Sequence, residues 1–197
     1  MFDTSRRELL QNAAAALLAG VLPLEAAQHV HRAAADDKVA GGGVYEPKAF
    51  NDHEYQTLVR LADLIVPADE HSPGAVAAGA LAFIDLLSSQ NPDLAAIYTG
   101  GVAWLDRHCA IAYSTTFLAA KPDQQTAVLD KIAYQKNASP DLGAGIKFFT
   151  WARRMVVDAY YTTPIGVKEL GFMGNTAVAK FEVPQNVMDY VNKRSPV

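Results

Sequence analysis

The stretch 146–161, IKFFTWARRMVVDAYY, limits more than any other what this chain can fold into. Phe148, Trp151, Ala152, Met155, Val156 and Ala159 fall at i, i+3, i+4, i+7, i+8 and i+11, the spacing of one apolar face of an α-helix. Ile146, Phe149, Val157 and Tyr160 widen that face until Lys147, Arg154, Asp158 and Tyr161 are left as a narrow polar stripe. Other elements must cover most of such a helix. At about 1.5–3 kcal/mol per fully buried large apolar side chain, no other segment contributes as much to a core. The spacing therefore predicts a central helix. Arg153 falls between Ile146 and Tyr160 on an otherwise apolar side. Either it meets a buried carboxylate, or that side meets another protein, or its stem packs while its head reaches water.

The flanking sequence predicts more helices. Asn51 with Glu54 three residues on is a capping-box pattern, and Pro67 ends the helix it opens. Asn91-Pro92 starts another, running to about Ala112. Gly100 and Gly101 inside it each cost about 1 kcal/mol against alanine, which predicts a second helix passing close. Pro122 opens a helix to about Gln135. After the central helix, Thr163 and Pro164 have the form of an N-cap and first helical residue, and Gly171 is a stop. Beyond the loop 171–175, Ala177, Ala179, Phe181 and Val183 alternate with Val178, Lys180 and Glu182, which predicts an extended segment. The expected fold is all-α, a single domain over residues 51–197 with five or six helices in an irregular array and an extended C-terminal strap.

The N-terminus carries an address. Ser5-Arg6-Arg7-Glu8-Leu9-Leu10-Gln11 has the paired arginines and following leucines of a twin-arginine export signal, and residues 13–24 supply an apolar run of signal-peptide length. Ala33 and Ala35 offer an A-x-A cleavage site. Residues 1–35 are expected to be the signal and residues 36–50, with Gly41-Gly42-Gly43, a flexible linker. Twin-arginine export moves folded proteins, so the expected location is the periplasm.

Chemistry is sparse. A net charge of −4 excludes the basic footprint of a nucleic-acid binder. There is no Gly-rich dinucleotide or phosphate loop, no C-x-x-C-H for covalent haem, no G-x-S-x-G elbow and no E-x-x-H pair for a di-iron site. The lone Cys109 lies at helical spacing with Leu105 and Ala112, as a buried inert thiol would. One cluster remains: Asp69, Glu70 and His71, which Asp106 and His108 could join in space to bind a metal. The plainer alternative is a loop whose acidic side chains satisfy backbone donors before the next helix. No catalytic residue is assigned.

Three stretches taken together, LADLIVPADEHSPGA from Leu61, GVAWLD from Gly101 and YYTTPIGVKELGFMGN from Tyr160, resemble the gluconate 2-dehydrogenase subunit 3 family, over about residues 50–185. These are small subunits of membrane-bound FAD-dependent sugar and polyol dehydrogenases. The resemblance implies a subunit with no cofactor of its own, which supports maturation and twin-arginine export of an FAD-containing GMC-type large subunit, with a c-type cytochrome as a further partner and membrane association through those partners. The alternative is a small exported metalloprotein built on Asp69, Glu70 and His71. The expected interface with the large subunit is the tail and the Arg153 side of the central helix, with Arg153, Phe172, Asn175 and Phe181 as its residues.

Overall fold

The computed structural model describes residues 6–18, 23–171 and 182–194, and the regular structure among them is entirely helical. In chain order the helices are α1 (Arg6–Leu18), α2 (Leu24–Ala40), α3 (Asp52–Ile65), α4 (Gly74–Ala77), α5 (Ala80–Ser88), α6 (Pro92–Tyr113), α7 (Pro122–Ile132), α8 (Gly143–Tyr161), α9 (Pro164–Glu169) and α10 (Gln185–Asn192), with a 3₁₀ turn at Gln135–Asn137. The all-α class is as expected, but the helices outnumber the expected five or six. Gly79, at φ +79°, breaks one helical stretch into α4 and α5, and both the N-terminal segment and the end of the tail are helical as well.

α8 is the central helix. It buries Ile146, Phe148, Phe149, Ala152, Met155, Val156, Ala159 and Tyr160, and α3, α4, α5, α6, α7 and α9 all pack on it. Its Arg153 is exposed, with the guanidinium 5.8 Å from the centroid of the Phe149 ring, so the stem packs and the head reaches water. Arg154 and Asp158 pair one turn apart at 3.6 Å on the polar stripe.

The close passage expected at the α6 glycines is real. A Cβ on Gly101 would lie 2.0 Å from the Phe148 ring, and one on Gly145 would lie 2.4 Å from the far edge of Trp104. Each helix thus receives an aromatic ring from the other into a notch only glycine leaves. Helix ends also follow the sequence. Asn51 and Glu54 form both halves of the capping box, Asn91 caps α6 through the Asp93 and Leu94 amides, and Thr163 accepts from the Gly166 amide at 3.1 Å.

One segment differs from expectation, and another lies largely outside the described residues. Residues 36–50 do not form a free linker: residues 36–40 complete α2, Gly42 and Gly43 turn the chain at φ +70° and +97°, and residues 45–50 are pinned to Asp85. Asp85 is fully buried in α5. Its Oδ2 accepts from the Tyr45 hydroxyl and the Lys48 amide, both at 2.8 Å, and its Oδ1 accepts from the amides of Ala49 at 3.0 Å and Phe50 at 3.2 Å. Four donors satisfy a carboxylate that burial would otherwise penalise heavily.

The tail is the second. Residues 172–181, including Phe172, Asn175 and Phe181 of the expected interface, lie outside the described residues. The extended segment expected over 177–183 therefore falls almost entirely outside the described residues, and α10 follows it. The period-two alternation stops at Val183, Pro184 supplies the N-cap, and Val187, Met188 and Val191 resume at helical spacing.

Candidate functional site

The described residues of the expected export signal, 6–18 and 23–35, pack onto the body. Arg6 opens α1, Arg7 is exposed, and Leu10, Ala13, Ala14 and Leu17 are buried. α2 buries Ala27, Val30, Ala33 and Ala34, and both helices lie against α5. Ala33 of the A-x-A pair is therefore inside a helix, packed into the core, while Ala35 faces outward. Among the described residues no helix is long and apolar enough to cross a membrane.

His31, which no motif marks, is part of the packing. Its ring lies against Phe83, tilted by 32° with centroids 4.4 Å apart, and its Nε2 lies 2.9 Å from the Thr162 hydroxyl. The same hydroxyl lies within reach of the Asp158 carbonyl at 2.8 Å and the Ala159 carbonyl at 3.2 Å, so the direction of the His31–Thr162 bond follows the imidazole tautomer. His31 also lines a cavity of about 740 Å³ enclosed by α2, α4, α5 and the start of α9, with Arg32 and Lys38 at its rim and Ala77, Ala82 and Ile165 in its wall.

Burial lowers the His31 pKa from 6.5 to about 4, against a smaller opposing effect of a backbone hydrogen bond to Ala159. Between those two values the unfolded chain binds a proton that the folded chain refuses, so stability is fully present above pH 6.5 and falls as pH drops toward 4. The loss from this residue is at most about 3 kcal/mol. Urea unfolding of wild type and His31→Gln across that range should show a steeper decline for wild type. Parallel curves would mean that His31 titrates normally.

The stretches from Leu61 and from Tyr160 meet in space. In the loop between α3 and α4, Asp69 Oδ1 accepts from the amides of His71 and Ser72, both at 2.8 Å, which holds the Asp69 carboxyl below its usual range. Gly74 closes the loop at φ +76°, where a Cβ would sit 2.7 Å from the Ala68 nitrogen. Asp69 therefore serves the backbone of its own loop, the plainer of the two readings. Among the described residues, no group of three or more His, Cys, Asp or Glu side chains is arranged to hold a metal ion. Asp106 and His108 do not join the loop: Asp106 accepts from the Phe117 amide at 2.9 Å and pairs with His53 at 2.6 Å, while His108 stacks on Trp104 at 4.9 Å.

Beneath the loop runs a directed chain of hydrogen bonds. The Gly74 amide donates to Ser72 Oγ, the Ser72 hydroxyl to the Tyr160 oxygen, and the Tyr160 hydroxyl to Glu169. The direction follows from Tyr160, whose single proton goes to the carboxylate. Burial raises the Tyr160 pKa, and the bond to Glu169 adds to it. Ser72 and Tyr160 are buried, and a neighbouring hollow of about 430 Å³ is bordered by His71, Lys168 and Glu169. Because the serine proton passes to a phenol rather than to a base, Ser72 is not poised as a nucleophile. The chain joins the α3–α4 loop to α8 and α9. Both stretches are marked in the sequence but their junction is not, since the partners are separated by 88 residues.

These features define an all-helical domain braced by internal polar ties. The family profile described as Gluconate 2-dehydrogenase subunit 3 matches residues 52–179, and the chain belongs to that family. No curated protein and no solved structure matches it.

Proposed function

We propose that this chain is the small, non-catalytic subunit and export partner of a periplasmic FAD-dependent dehydrogenase that oxidises CH–OH groups of a sugar or polyol. The observation that carries the reading is a subunit-family domain over residues 52–179 preceded, in the same chain, by the Ser5–Gln11 twin-arginine pattern. A domain that is one subunit of a dehydrogenase, carrying an address read by a receptor, can export a folded flavoprotein that lacks its own. In this reading the FAD belongs to a GMC-type large subunit, and a c-type cytochrome subunit takes the electrons. The side chains of this chain supply docking and address.

Replacing Arg6 and Arg7 with lysine tests it, in cells that co-express the chain with its FAD-containing large subunit. Dehydrogenase activity and both polypeptides are expected to shift from the periplasmic to the cytoplasmic fraction. Undiminished periplasmic activity would sink the export role.

A further inference from the structure

We propose that α10 is a docking helix that inserts its apolar face into a groove of the large flavoprotein subunit; this rests on the subunit reading above. Val187 and Val191 lie one turn apart with Met188 and Tyr190 beside them, Val183 stands just before the helix, and Gln185, Asn186, Asp189 and Asn192 occupy the opposite half. Every residue from 182 to 194 is exposed, and the five large apolar side chains are 38–59% exposed. An eight-residue helix is well below the ~12–15 residues at which isolated helices become even marginally stable in water, so this face needs a cover.

Three candidates could provide it. The first is the chain's own 740 Å³ cavity, but its rim carries Arg32 and Lys38 and α10 ends in Lys193 and Arg194, so docking there sets like charges together. A second copy of α10 is the next, yet two paired two-turn helices fall well short of the roughly 1,200–2,000 Å² that a stable interface buries. A groove in another subunit wraps a short helix on several sides and adds to the rest of a larger interface. The placement of α10 also suits an outside partner. It lies beyond residue 179, where the family match ends, and a stretch of ten residues, 172–181, spans at most about 33–36 Å.

The test is Val187→Asp, Met188→Asp and Val191→Asp combined in the full-length chain, co-expressed with the FAD-containing large subunit. Co-elution of flavin with the variant should be lost, with affinity at least about a hundredfold weaker. Its thermal midpoint alone should equal that of wild type, because no buried contact is removed. Unchanged co-elution would overturn the proposal. So would a lowered midpoint, which would place α10 in its own cavity, or a wild-type dimer that the variant abolishes, which would make a second copy the partner. If wild type itself fails to co-elute with flavin, the subunit reading falls and this proposal with it, a result distinct from failure of the variant comparison.

Discussion

Asp85→Ala is expected to destabilise the protein by about 4 kcal/mol, a large fraction of the roughly 5–15 kcal/mol that holds an ordinary domain folded. The substitution leaves the amides of Lys48, Ala49 and Phe50 and the hydroxyl of Tyr45 without their acceptor. An unsatisfied buried polar group costs about 1–3 kcal/mol, and partial rehydration of the 45–50 segment keeps the total below the sum of four such losses. Asp85→Asn should be nearly as harmful, because its amide NH₂ would face donors. Chemical denaturation of both variants measures the effect, and hydrogen exchange at residues 48–50 should accelerate. A loss under 1 kcal/mol would show that the carboxylate is not what fixes this segment.

Gly101→Ala is expected to cost about 2 kcal/mol net, even though alanine is the better helix former by about 1 kcal/mol. The new methyl would lie 2.0 Å from the ring of Phe148, itself buried between α6 and α8. A hollow of about 480 Å³ beside the ring lets it give way only in part, and a second aromatic contact at Gly145 keeps the two helices from separating as a unit. Phe148→Leu should be destabilising alone but should relieve the Gly101→Ala clash. The double variant should then be at least about 1 kcal/mol more stable than the sum of the single losses. Additive losses, or a neutral Gly101→Ala, would mean that Phe148 can turn aside at little cost.

Much of this protein was determined by its sequence alone, wherever the signal is local. The period of apolar residues in 146–161 specified a central helix, because only a 3.6-residue repeat puts those side chains on one face. Asn51, Asn91 and Thr163 specified helix starts, because a short polar side chain satisfies amides within three residues of itself. Even the approach of α8 to α6 was readable at Gly101, since a glycine inside a helix trades stability for space. The family itself was legible from three short stretches in order.

What only the tertiary structure decided depends on partners far apart in the chain. Asp85 in FIDLL has no local feature to show that it would gather donors 35–40 residues upstream. The joining of Ser72 to Tyr160 and of His31 to Thr162 spans 88 and 131 residues. The packing of α1 and α2 on α5 is of the same kind: an apolar alanine-rich run has the same composition whether it waits for an export receptor or fills a groove, and the surface that receives it exists only once the chain has folded.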